Sequence, residues 1–244
     1  MEAWPYPVVF VHRLGGALAP ENTLAGLMLA HRLGARAVEC DVKLSADNVP
    51  LLFHDDDLER ICGSSGPVAH LTLSELRRLD AGSRHHPAFA TEPIPLLDEL
   101  AAAARSTALA VNLEIKPCAG RAAESGATVA QAAAAAWQGH LPAPLLSSFS
   151  EEALAAARDA VPHLPRALLL ERWRDDWQAA ALALGAVALH VHRLQLTPSR
   201  VEAAHAAGLR VMAWTVNDVL EARQLLAWGV DMLCTDRPDR LLCL

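Results

Sequence analysis

The sequence predicts a (β/α)8 TIM barrel of the α/β class, and three observations carry that prediction. Eight short runs have the continuous apolar character of strands buried on both faces. Ala/Leu-rich amphipathic stretches separate most of them, and a glycine recurs where a stretch gives way to a run. The length, 244 residues, suits one such barrel, because this fold closes in about 250 residues. A single domain over residues 1–244 is therefore expected, with a small insertion at about 55–95 between the second and third barrel strands.

The first run, Val8 to His12, is followed by Asn22 and Thr23, which fit the cap of a first helix, with Glu21 turned toward the barrel rim. Gly34 then introduces the second run, Ala37 to Lys43. A further apolar segment, Val49 to His54, comes too soon for an intervening helix and reads as an extension or hairpin arm. Residues 55–95 carry little strand pattern and a single short helix near Ser74, where Thr72 and Glu75 make a capping box. Leu109 to Lys116 and Pro144 to Ser148 come next, the latter followed by Ser150 as N-cap and by Glu151 and Glu152 where the helix dipole favours anions. The fifth run is Arg166 to Leu170, and Gly185 introduces the sixth, Ala186 to His192. Thr197 with Pro198 starts a helix, Gly208 leads into Leu209 to Thr215, and Gly229 leads into Asp231 to Thr235. The alanine runs at 101–104 and 132–136 are strong helix formers, and Pro142, Pro144, Pro162 and Pro165 mark connections within the fold.

A formal net charge of −7 and the lack of a Lys/Arg run exclude a chain built to grip nucleic acid or an anionic membrane. Met1 to Pro7 has no basic segment followed by an apolar core, and no apolar stretch has the length that crosses a bilayer. Five cysteines stand scattered without metal-type spacing. A reduced, cytoplasmic protein with no membrane insertion is the expectation, and association into a homo-oligomer is left open.

A barrel of this kind builds its site at the C-terminal ends of its strands, so the polar residues there are the ones to weigh. Glu39 and Asp41, two apart on one strand, project from the same face, and Glu114 ends the next barrel strand. Three carboxylates at one mouth repel each other, and a hard divalent cation, Mg2+ or Ca2+, is their natural compensation. A lone Glu-x-Asp more often makes ion pairs; the third acid and two histidines turn the balance. His12 and His54 end their runs at the same rim, and imidazoles there can divide proton removal and proton delivery. Arg13 suits two phosphate oxygens, and Lys116 adds a second positive charge. His190 and His192 end the sixth run and can line the pocket; Trp214 is a wall for a carbon skeleton or a core residue. The remaining histidines, His31, His70, His85, His86, His140, His163 and His205, read as surface or packing residues. With no G-x-G-x-x-G, Walker loop, G-x-S-x-G or H-E-x-x-H, nucleotide cofactors and serine nucleophiles are disfavoured.

The motifs His12-Arg13, Pro20-Glu21-Asn22-Thr23, Glu39-Cys40-Asp41-Val42, His54-Asp55, Glu114-Ile115-Lys116-Pro117, Ser147-Ser148-Phe149, Trp214-Thr215-Val216-Asn217 and Thr235-Asp236 resemble the glycerophosphodiester phosphodiesterase family. The likeness runs in family order from Trp4 to Asp236. Trp4 to Pro7, Leu168 to Trp177 and Leu225 to Asp236 are most similar to the cytoplasmic bacterial UgpQ-type branch tied to glycerol 3-phosphate uptake. The resemblance implies a barrel with a small insertion, His12 and His54 as acid and base, Glu39, Asp41 and Glu114 as metal ligands, and Arg13 and Lys116 at the phosphate. Trp214 and His192 then fall on the substrate side of the rim. It further implies a small glycerophosphodiester as substrate, and attack by the glycerol 2-hydroxyl to give a cyclic phosphate that water opens. Two departures stand out: Leu14 intervenes where the family has glycine after His-Arg, and Cys40 replaces Leu or Phe. Two rival readings are a lysophospholipid phosphodiesterase, which needs an apolar surface for an acyl chain, and a catalytically silent barrel, which would have lost a site residue.

Overall fold

The computed structural model describes residues 4–140 and 142–244; the opening residues 1–3, part of the segment read as lacking a signal, lie outside it. Among the described residues nine strands form one sheet: β1 Val9–Val11, β2 Ala37–Leu44, β3 Pro50–Leu52, β4 Ala110–Ile115, β5 Leu145–Ser148, β6 Arg166–Leu170, β7 Ala188–His192, β8 Arg210–Trp214 and β9 Met232–Thr235. The order β1-β9-β8-β7-β6-β5-β4-β2 closes through a parallel β1–β2 pairing, Val11 opposite Val38, into a parallel eight-stranded barrel. All eight expected strands are present, each end within two residues of its expected place. β3 is the hairpin arm rather than an extension, antiparallel to β2 with Val42 opposite Leu52.

Helices cover the outside: α1 Leu24–Arg32, α2 Glu59–Cys62, α3 Leu73–Leu76, α4 Leu97–Thr107, α5 Ala122–Ala136, α6 Glu151–Ala160, α7 Trp177–Leu184, α8 Pro198–Ala206, α9 Val219–Ala227 and α10 Pro238–Leu241. Their starts follow local chemistry: the side chains of Thr23, Ser150 and Thr197 accept from Gly26 N, Ala153 N and Arg200 N. Gly185 ends α7 in the left-handed region at φ 58°, the joint that the recurring glycine marks. α5 and α6 meet backbone to backbone, because a Cβ on Gly126 would lie 2.0 Å from Ala153 O.

One expectation needs correction. Residues 55–95 hold two short α-helices, α2 and α3, and 3-10 turns at Val68–His70 and Pro87–Phe89, not a single helix near Ser74. α2 is four residues long, too short to show an apolar period, and stops at Gly63 in the left-handed region. Leu58, Val68, Leu76 and Ile94 of this segment pack with Leu51 and Phe53 of the hairpin arm in a small separate core. Inside the barrel, the alanines at 37, 110, 167 and 188 leave room for Phe10, Met212 and Met232 in a closed apolar floor. Among the described residues no helix is long and apolar enough to cross a membrane.

Candidate active site

Above that floor the inward positions turn polar. The two-residue period of β2 sends Ala37, Glu39 and Asp41 inward in succession, and that of β4 sends Ala110, Asn112 and Glu114. Parallel register puts Glu39 beside Asn112 and Asp41 beside Glu114. Carboxylate oxygens of Glu39, Asp41 and Glu114 lie within 4.8 Å of one another. Burial, reinforced by the Asp41 charge, pushes Glu39 up to about 8 and Glu114 up to about 7. Burial would raise Asp41 as well, but Arg13, His54 and Lys116 hold its carboxyl below the usual range. Glu39 Oε1 is buried without a hydrogen-bond partner. An all-oxygen donor set with excess negative charge and a bare buried oxygen fits a hard divalent cation. His12, Glu39 and Cys234 form a second group of metal-capable atoms sharing Glu39, a role the spacing of the cysteines gave no reason to expect.

Each histidine is aimed by a carboxylate. His12 Nδ1 is 2.6 Å from Asp236 Oδ1, which leaves Nε2 facing Glu39 at 3.9 Å. Asp236 is itself fixed, accepting from Asn217 Nδ2 at 3.0 Å while its N–H donates to Asn217 Oδ1 at 2.8 Å. Burial would lower His12, yet Asp236 and Glu39 hold its pKa above the ordinary value. His54 Nδ1 is 2.6 Å from Asp55 Oδ1, and here burial, aided by Arg13 and Lys116, keeps the imidazole below its ordinary value.

A chain of ion pairs ties the 55–95 segment to the mouth. Arg60 of α2 donates to both oxygens of Asp55 and to both of Glu21 at 2.6–2.9 Å. Glu21 in turn accepts from Arg13 Nη1 at 2.9 Å, and Arg13 Nε stands 3.5 Å from Asp41 Oδ2. Lys116 Nζ lies 3.0 Å from Glu114 Oε1, off the line of a good hydrogen bond, and 5.6 Å from the centre of the Phe149 ring.

Leu14 adopts φ 71°, where glycine is favoured, at a cost of about 1–2 kcal/mol. Its side chain is fully buried with Val11, Leu27 and Val38, which offsets that strain and keeps it out of the cavity. Cys40 likewise points outward into the same apolar cluster.

The structure gathers His12, Arg13, Glu39, Asp41, His54, Glu114, Lys116 and Trp214 around one cavity. His192 stands outside its lining and packs edge-on against Trp214, with ring centres 5.1 Å apart; His190 lines it instead. Asn22 does not cap α1: it accepts from Asp41 N and donates to Asp41 Oδ2, leaving the cap to Thr23. Asn112 was not among the expected site residues, although its place two residues before Glu114 is a usable signal. Arg60, for which no pattern in residues 55–95 gives notice, and the contacts of Asp236 and Asn217 with His12 and each other were not expected either.

Residues 12–240 match the family model described as the glycerophosphoryl diester phosphodiesterase family. A curated glycerophosphodiester phosphodiesterase of Caldanaerobacter subterraneus is 31% identical over 235 residues, 96% of each chain. Among solved structures, an Oleispira antarctica phosphodiesterase in complex with the product sn-glycerol-3-phosphate superposes with a TM-score of 0.93 at 36% identity, covering 98% of this chain and 96% of that one. A glycerophosphodiester phosphodiesterase of Agrobacterium tumefaciens gives 0.82 at 30% identity, over 97% and 99% of the chains. The barrel fold is thus shared with these proteins, and the chain belongs to the glycerophosphoryl diester phosphodiesterase family as an enzyme of that class.

Proposed function

We propose that this enzyme hydrolyses glycerophosphodiesters, such as glycerophosphocholine or glycerophosphoethanolamine, to sn-glycerol 3-phosphate and an alcohol, with His12 and His54 as the acid-base pair. One observation carries the reading: a single cavity holds two carboxylate-oriented imidazoles, three clustered carboxylates and the cations of Arg13 and Lys116. Arg13 and Lys116 meet the charge of the phosphodiester and its growth in the transition state. Glu39, Asp41 and Glu114 would hold Mg2+ or Ca2+, and such an ion supplies Lewis-acid polarisation of a phosphoryl oxygen.

One imidazole accepts the proton of the glycerol 2-hydroxyl as its oxygen bonds to phosphorus, and the other protonates the alcohol oxygen as that P–O bond breaks. Water then opens the resulting cyclic phosphate, with the two imidazoles in exchanged roles. The product named for the Oleispira neighbour supports this assignment. The reading also takes residues 1–244 as one domain acting on small molecules in the cytoplasm, with 55–95 as its insertion and the UgpQ-type branch as its place.

The test is release of glycerol 3-phosphate from a panel of glycerophosphodiesters, with and without chelator. Release that chelator abolishes and a divalent cation restores is expected. Activity indifferent to chelator would remove the metal from the reading.

A further inference from the structure

The cavity has two unlike ends. Toward solvent it opens past His54, Glu114, Lys116 and Phe149 into a groove that continues along Lys43, Asp56 and Asp57. Toward the barrel axis it closes on the layer of Asn112, Leu169, His190 and Met212, one inward position below the mouth, with Ala37, Ala110 and Ala188 beneath. Lys43 Nζ, at the foot of the outer groove, is already engaged by Asp56 at 2.5 Å.

The closed end carries polar atoms that the protein itself leaves unused. His190 is 1% exposed and its Nε2 has no hydrogen-bond partner. Asn112 is 2% exposed; its amide donates to Ser147 Oγ at 3.0 Å, and Oδ1 is unpartnered. Turning the amide over leaves one end unpartnered in either orientation. Trp214 Nε1, one inward position nearer the mouth, is a third buried atom without a partner among the described residues. Buried polar groups are almost always hydrogen-bonded, so three unpartnered atoms on residues that line one cavity point to a ligand that supplies the missing partners.

We propose that Asn112 and His190 at this closed end, with Trp214 one inward position above them, form the subsite that bonds the glycerol hydroxyls. The inference rests on the functional reading above and names the residues behind its specificity. Hydroxyls both donate and accept, which suits an imidazole, an amide end and an indole N–H together. Burial pushes His190 down to about 3, so its ring stays neutral and one of its nitrogens can accept from a hydroxyl. Leu169 and Met212 beside these groups offer apolar contact to a short carbon chain. A cationic head group would lose its hydration at the closed end, and the open groove with exposed Asp56 leaves it in water.

The experiment compares two ligands that share a phosphate and differ in the diol. Calorimetric Kd values for sn-glycerol 3-phosphate and methyl phosphate are measured on the metal-loaded protein, its His190→Phe variant and its Trp214→Phe variant. The unaltered protein is expected to favour glycerol 3-phosphate by roughly a hundredfold, and each variant to lose about tenfold of that ratio, since a site built to bond a hydroxyl discriminates against its absence. Trp214→Phe keeps an aromatic ring and removes only the N–H, so it carries the test if His190→Phe fails to fold. A ratio within twofold of the unaltered protein's in the folded variants would overturn the subsite. A separate arm follows glycerol 3-phosphate release from glycerophosphocholine by the unaltered protein. Release with an unmoved ratio sinks the subsite alone, and no release sinks the functional reading together with it.

Discussion

The two faces of β2 and β4 divide the work of this protein. Facing the barrel axis, these strands present Glu39, Asp41, Lys43, Asn112 and Glu114, a concentration of charge that burial penalises. Facing the helices, they present Val38, Cys40, Val42, Val111, Leu113 and Ile115, all packed into one apolar cluster. Neighbours along a strand point to opposite sides, so adjacent residues answer to opposite requirements. Chemistry can therefore concentrate on one face without disturbing the packing that holds the barrel closed. A one-residue slip of either strand would exchange the two sets and lose both.

The largest break expected on the inner face comes from His12→Ala. Removing one member of an acid-base pair costs about 10²–10⁴ in turnover. Its outward neighbour Val11 still packs in the apolar cluster, so the melting curve should stay that of a folded barrel. Steady-state assays beside thermal melts check this, and unchanged turnover would end the assignment of His12.

A milder cut goes through Asp236→Asn. Asp236 now takes an N–H from Asn217 on one oxygen and faces His12 Nδ1 with the other. An amide cannot accept on both sides. If its oxygen keeps the Asn217 bond, its NH2 faces Nδ1 and forces the imidazole proton onto Nε2, the nitrogen aimed into the cavity. A fall in kcat of roughly 10–100-fold is expected, the size seen when a partner that orients an imidazole is lost. The pH dependence gives the sign. Asp236 helps hold His12 above its ordinary pKa, so the limb of the rate profile that belongs to His12 should move to lower pH in the variant. A profile that keeps its position would separate Asp236 from the titration of His12.

How much of this could be read in the chain follows from the same two faces. Strands and the inner carboxylates are local: a period of two and a run of apolar residues suffice to find Glu39, Asp41 and Glu114. Depth is harder to read. His190 and His192 share a face, and only the closed barrel shows that His190 is level with the lined cavity while His192 sits beside Trp214 at the rim. Partnerships across the fold are harder still, since Asp236 meets His12 from 224 residues away and Arg60 arrives from a segment without periodic pattern. Asn22 looked like a cap because its chemistry and position fit one; Thr23 took that role, and Asn22 was free to clamp Asp41.

The smallest expected effect on chemistry comes from the outer face, at Gly126→Ala. The added methyl would point at Ala153 O from 2.0 Å, and the atoms it meets are backbone that cannot swing aside. Alanine improves helix propensity by about 1 kcal/mol over glycine, which favours the variant in isolation. Overpacking costs about 1–3 kcal/mol and more where backbone must shift, so the clash outweighs that gain. With a net loss of about 2 kcal/mol, and roughly 2–4 °C per kcal/mol for a chain of this size, the Tm should fall by about 4–8 °C. Turnover should stay within about twofold, because α5 touches the outer faces of the strands that carry Glu39 and Glu114 on their inner ones. A large loss of kcat at unchanged Tm would show that the outer packing sets the geometry of the mouth, and the division between the two faces would fail.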